Sequence, residues 1–145
     1  MEKDIFPLLR ELGISLVAYS PLGRGFLTGR FRRFEDLAPD DYRRMQPRFQ
    51  GENFKKNLEL VDTVATLAKA KGATSAQLAL AWVVSHGPEV VPIPGTSRRT
   101  HLEENLKALE LKLDAEDLAA IEKAMPPEAV AGTRYPETML KMLNQ

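Results

Sequence analysis

The chain contains no cysteine, which removes disulfides, thiolate nucleophiles and cysteine metal sites together. That composition suits a reducing compartment. With only two histidines beside it, a zinc site is not expected. Net charge is missing as well. Twenty basic and twenty acidic side chains cancel, so no overall field draws the protein to nucleic acid or to an anionic membrane. No apolar run approaches the ~20 residues that span a bilayer. The start, Met1-Glu2-Lys3-Asp4, is polar and acidic, unlike a secretory leader. The expectation is a cytoplasmic protein without nucleic-acid or membrane partners. Also absent are a Gly-x-Ser-x-Gly elbow, a His-Glu-x-x-His helix, a Walker loop and a Gly-x-Gly-x-x-Gly turn opening a helix.

What is present suffices for one soluble domain: 145 residues, of which 43% are hydrophobic and 28% charged. Ile5, Leu8, Leu9 and Leu12 share one helical face, and Gly13 stops that helix. Ile14 to Tyr19 then reads as a short strand, apolar enough to be covered on both faces. From Ser20 to Gly29 a proline and several glycines oppose regular structure and let another group approach the backbone. Arg30 to Gly51 follows, with six arginines and four acids. So long a loop reads either as a lid or excursion over a site, or as a solvated segment whose charges cancel.

Periodicity then predicts a helix from about Asn53 to Lys71, with Phe54, Leu58, Val61, Val64, Ala65 and Ala68 on its apolar face. Thr74, three residues before Gln77, opens a second helix as a capping box. Leu78, Ala81 and Trp82 form its stripe, which makes Trp82 a core residue. His86, beside Gly87-Pro88, suits a helix-end or solvent role. Val90 to Ile93 is the second strand. The Gly95-Thr96-Ser97 turn follows, then Arg98-Arg99 and a segment with Leu102, Leu106 and Leu109 in register. Asp114 caps a short helix carrying Leu118 and Ile121. The tail ends in an amphipathic piece with Met139, Leu140, Met142 and Leu143.

Two turns stand out chemically. Both follow the C-terminal ends of apolar strands, where the loops of an α/β barrel build its site. The second also opens a helix, whose unpaired N–H groups and positive dipole end suit a phosphate. Taken alone, it is equally an ordinary strand-to-helix connection with two solvated arginines. Two parallel strands among so many helices cannot form a stable sheet by themselves. The pattern is that of part of a larger α/β protein.

The motifs carry a resemblance. Residues 13–29, Gly-Ile-Ser-Leu-Val-Ala-Tyr-Ser-Pro-Leu-Gly-Arg-Gly-Phe-Leu-Thr-Gly, resemble the seventh strand and following loop of the aldo-keto reductases. Residues 73–82 are similar to their helix before the last strand. Residues 91–105 resemble their eighth strand and 2′-phosphate loop. Gly132-Thr133-Arg134-Tyr135-Pro136-Glu137 resembles the tail of the auxin-induced and perakine-reductase-like branch.

The resemblance implies that residues 1–145 are the C-terminal portion of a single (β/α)8 TIM-barrel domain, an α/β fold incomplete on its own. It implies NADP(H) as cofactor and hydride transfer to an aldehyde or ketone, the small-molecule carbonyl substrate of the complete protein. Tyr19 would stack on the nicotinamide, while Ser20, Pro21, Leu22, Gly23 and Arg24 would line the pyrophosphate path, largely through backbone groups. Gly95, Thr96, Ser97 and Arg98 would hold the 2′-phosphate with His101 in the same pocket, and Glu104 and Asn105 would meet the adenine. Many members carry Lys where Gly95 stands, so NADPH preference would rest mostly on Arg98. The family's catalytic Asp, Tyr, Lys and His lie on early strands to which nothing here corresponds, and Tyr19 belongs to the stacking motif. The isolated chain is therefore expected to be inactive. A noncatalytic NADPH-binding module of the channel β-subunit kind and a nonfunctional truncated piece are the alternatives. Either could self-associate through uncovered strand edges.

Overall fold

The computed structural model describes residues 4–142; Met1–Lys3 and Leu143, part of the expected amphipathic end, lie outside them. The order is α1 (Ile5–Glu11), β1 (Leu16–Tyr19), a run of short 3-10 turns, α2 (Gly51–Ala70), α3 (Ser75–Val84), β2 (Val90–Ile93), α4 (Arg99–Leu106), α5 (Ala115–Ala124) and α6 (Glu137–Leu140). Local chemistry sets these limits as the sequence leads one to expect. The Thr74 hydroxyl accepts from the Gln77 N–H at 3.2 Å while the Gln77 amide returns a bond to the Thr74 N–H. Asp114 and Asp117 repeat the device at α5.

β1 and β2 pair in parallel, with Leu16 opposite Val90 and Tyr19 opposite Ile93. Side chains alternate across the pair. Leu16, Ala18, Val90 and Pro92 turn toward the helices, and α3 packs on β2. Val17, Tyr19, Val91 and Ile93 share the other face, each about half exposed or more. The expected cover on both faces is thus present on one only. Two strands have no further strand to close a second apolar layer over them.

The leucines that stand in register along α4 and the turn after it are likewise exposed: Leu102, Leu106 and Leu109 are 48%, 55% and 67% accessible. Only Ala108, in the 3-10 turn that continues the helix, is buried there. α4 meets α3 and that turn, so its apolar stripe has no partner among the described residues.

The core has moved to α2 and the loop before it. Phe26, Phe31, Leu37, Phe49, Phe54 and Val61 form one buried cluster. Val64, Ala68, Leu78 and Ile121 form a second, flanked by Leu67 and Trp82. The 30–51 segment is therefore neither extended nor merely solvated. It makes 3-10 turns at Phe34–Asp36, Tyr42–Met45 and Pro47–Phe49 and delivers three large apolar side chains inward. Residues 23–28 also form tight turns, interrupted at Arg24 and Gly25 by left-handed backbone.

The tail is stapled by Asn57, which is 5% exposed. Its amide nitrogen donates to the Arg48 and Ala131 carbonyls at 3.0 and 2.9 Å, and its oxygen accepts from the Ala131 N–H at 2.9 Å. Gly132 follows at φ +85°, where an added Cβ would stand 3.0 Å from the Pro47 backbone; only glycine passes there. Leu37, 1% exposed, holds the loop to α2 from the other side. Leu37→Ala is expected to cost about 2–5 kcal/mol, read as a lower urea midpoint, whereas Leu109→Ala on the exposed stripe should stay within about 0.5 kcal/mol.

Candidate functional site

The two turns singled out by the sequence face each other across one cleft of about 1120 Å³. Tyr19, Ser20, Pro21, Leu22 and Arg24 line it from the end of β1; Gly95, Thr96, Ser97, Arg98, His101, Glu104 and Asn105 line it from the end of β2 and from α4. Of the expected site residues only Gly23 is off the wall, and its role is to turn the chain at φ +57°. The parallel pairing of β1 with β2 brings the turns together, because it puts both strand C-termini on one side.

Sequence reading did not single out the third wall. Arg30, Phe31, Ala38, Asp40, Asp41, Tyr42 and Arg43 come from the long loop, and Ala76 from α3. The loop's length was the available signal, and these residues of the segment line the cleft rather than lying away from it. Asp41 caps its turn by accepting from the Arg43 N–H at 2.9 Å and grips the Arg43 guanidinium at 2.5–3.1 Å. Arg43 in turn donates to the Arg24 carbonyl at 3.0 Å and lies 4.3 Å from the centre of the Phe31 ring. One charged pair thus fastens the loop to the turn after β1.

Arg24 lines the cleft from the turn after β1. Its guanidinium donates to Gln46 Oε1 and to the Arg134 carbonyl, both at 3.1 Å, and rests 4.9 Å from the Tyr135 ring centre. Burial, and then repulsion from Arg134 and Arg24, pulls Arg48 below its ordinary pKa. Among the described residues the Arg98 side chain has no such commitment: it is exposed, and its hydrogen bonds are backbone ones, two with the Thr96 hydroxyl at 3.2 Å and one accepted from the Leu102 N–H at 3.1 Å. α4 begins beside it with no side-chain cap, leaving first-turn N–H groups available to an acceptor. His101 sits 3.6 Å from Glu104, and Gln77 reaches from α3 to the Glu104 carbonyl at 3.2 Å.

These groups offer the cleft hydrogen-bond donors and positive charge together with the exposed aromatic ring of Tyr19. Among the described residues no His, Cys, Asp and Glu group is arranged to hold a metal, and no helix is long and apolar enough to cross a membrane. The sequence model of the Aldo/keto reductase family matches residues 1–126. The chain belongs to that family.

Its relatives agree. Probable aldo-keto reductase 1 of Glycine max is 48% identical over 93% of this chain and 39% of its own length. The aldo-keto reductase yakc of Schizosaccharomyces pombe, named for NADP(+), is 45% identical over 93% of the chain and 40% of its own. The chain thus spans about two fifths of the curated relatives it matches. The structure of a glycerol dehydrogenase from Gluconobacter oxydans, AKR11B4, superposes with a TM-score of 0.77 at 30% identity, over 86% of this chain and 38% of that one. The fold is accordingly α/β and resembles the aldo-keto reductase barrel.

In this family member the Asp41–Arg43 clasp has a pH signature. Bonds from the Arg43 side chain lead in holding the Asp41 pKa below the usual carboxylate value. A lowered folded-state pKa stabilises above the unfolded value of about 3.9 and is lost as pH falls through the folded one. Asp41→Asn should therefore cost on the order of 1 kcal/mol at neutral pH and speed tryptic cleavage at Arg43 and Arg44. The difference from the parent should shrink below about pH 4.

Proposed function

We propose that the chain is the C-terminal, cofactor-binding part of an NADPH-dependent aldo-keto reductase that reduces aldehydes or ketones, contributing the last two strands of the barrel. The observation that carries this reading is the convergence of Tyr19–Arg24 and Gly95–Asn105 on one cleft. The fit to a phosphorylated dinucleotide is chemical. Arg98 is uncommitted, the N-terminus of α4 is uncapped, and the cleft exceeds the ~300–1,000 Å³ usual for small ligands. The NADP(+) in the name of the Schizosaccharomyces pombe relative supports the choice of cofactor.

In this reading Tyr19 offers its exposed ring for stacking on the nicotinamide. Backbone groups from Ser20 to Arg24 follow the pyrophosphate. Thr96, Ser97 and Arg98 hold the 2′-phosphate through hydroxyl, N–H and guanidinium donors, His101 adds a ring nitrogen, and Glu104 and Asn105 accept from and donate to the adenine. The bound cofactor supplies hydride to the carbonyl carbon. The acid that protonates the carbonyl oxygen belongs to segments of the family to which nothing in this chain corresponds. The half-exposed faces at Val17, Tyr19, Val91 and Ile93 support the same reading, since they suit the interior of a closed barrel.

Fluorescence titration with NADPH and NADH tests the proposal. Arg98→Ala should weaken NADPH binding about tenfold and leave NADH nearly unchanged. Gly95 has nothing within 4 Å of where a Cβ would stand, so Gly95→Lys should strengthen NADPH binding by roughly threefold or more. Equal effects on both nucleotides would refute the 2′-phosphate assignment. Carbonyl-dependent NADPH oxidation by the purified chain should be undetectable; turnover would show that the acid lies within it.

A further inference from the structure

The tail motif Gly132-Thr133-Arg134-Tyr135-Pro136 docks against the turn after β1. Carbonyls along it accept in succession: Ala131 from the Asn57 amide at 2.9 Å, Gly132 from the Arg48 guanidinium at 3.3 Å and Arg134 from the Arg24 guanidinium at 3.1 Å. The Tyr135 ring stacks beneath that Arg24 group, its centre 4.9 Å away. Arg24 is itself in an unusual state. With Ser20 it is one of two non-glycine residues, among those described, that have left-handed backbone; its angles are φ 59° and ψ 32°. An L side chain disfavours that conformation about fivefold or more relative to glycine. Such backbone persists only where its surroundings over-determine it. Here the residue is gripped at both ends. Its carbonyl accepts from Arg43 at 3.0 Å, and its guanidinium donates to the buried Gln46 side chain at 3.1 Å as well as to the tail.

We propose, on the reading of Ser20–Arg24 as the pyrophosphate turn, that Tyr135 and the Arg134 carbonyl are positioning groups for the cofactor. Acting through Arg24, the docked tail holds the turn in its left-handed form before a dinucleotide arrives. The linkage runs in both directions, so a bound dinucleotide tightens the tail in return. The clamp acts on backbone that meets a part common to both nucleotides. It therefore serves NADPH and NADH alike, unlike Arg98.

The turn's own amides report the clamp without any nucleotide, since the Gly23 N–H bonds the Ser20 carbonyl at 2.9 Å and the Gly25 N–H the Leu22 carbonyl at 3.0 Å. Tyr135→Leu should speed hydrogen exchange at both about two- to fivefold while the amides of α2 and α3 keep their rates. Tyr135→Phe, which retains the ring, should restore most of the protection. No rise at the turn overturns the proposal, and so does a rise shared by the helices, which is general loosening. In fluorescence titrations Tyr135→Leu should weaken NADPH and NADH by the same factor. Arg24→Gly should bind both about fivefold more tightly than Arg24→Ala, although neither keeps the guanidinium, and Tyr135→Leu should add nothing in either background. Equal affinities for the two Arg24 variants would make that residue a direct charge contact and overturn the positioning role. If the unaltered chain binds neither nucleotide, the cofactor reading fails and the positioning role with it; nucleotide binding with unchanged exchange fails the clamp alone.

Discussion

Phe26 is the residue on which the arrangement of the cleft depends. It stands edge-on to Phe49 at 4.9 Å and to Phe54 at 5.2 Å, joining the turn after β1 to the end of the long loop and to the first turns of α2. Edge-to-face contacts of this kind are directional as well as apolar. They convert a glycine-rich turn with two left-handed residues into a fixed wall. Tyr19 to Arg24 hold their places because Phe26, immediately beyond, cannot move without opening the cluster that α2 is built upon.

The remaining apolar surface follows from that choice of core. With helix and loop packed on one another, the two-stranded sheet is left covered on a single face. Val17, Tyr19, Val91 and Ile93 line the other, and Leu102 and Leu106 of α4 and Leu109 in the turn after it stand in the open. Isolated exposed apolar side chains are ordinary, but contiguous ones on a sheet face and an adjoining helix mark surface meant for a partner layer. A barrel wall with its other strands in place would bury the same residues, and this is why their exposure sits easily with a chain that matches two fifths of its relatives' length.

Much of this was legible in the residues. Capping pairs at Thr74–Gln77 and Asp114–Asp117 fixed helix starts because the chemistry is local. That the two strand-end turns share one cleft was legible from their common place after strands read as parallel neighbours, although the residues of the second turn equally suit an ordinary strand-to-helix connection. The loop's contribution was not. Phe31, Leu37 and Phe49 carry no period, being separated by turns rather than by a helix or strand, so neither the 3.6 nor the 2.0 repeat reveals that they share a core. The arginines around them read as a solvated run, since sequence alone does not show that Arg43 spends its donors on Asp41 and on the Arg24 carbonyl. The exposure of the leucines along α4 and the turn after it was not legible for the opposite reason. Their period is sound, but the layer they would face is not among the described residues.

The charge pattern then gains a meaning that neither reading supplied alone. Arg43 is neutralised by Asp41. Among the described residues Arg24, Arg48 and Arg134 form no ion pair. The bonds recorded for Arg24 and Arg48 are to carbonyl and amide oxygens, with the Tyr135 ring below Arg24. Such partners satisfy donors without cancelling charge. Burial first, and then repulsion from Arg134 and Arg24, holds the Arg48 pKa below its ordinary value. The fold tolerates these uncancelled guanidinium charges beside its main cleft while carboxylates are plentiful elsewhere in the loop. The tail whose Arg134 carbonyl accepts from Arg24 is stapled by Asn57 and pinned by Gly132, so neutral hydrogen bonds rather than ion pairs hold the arginines in place.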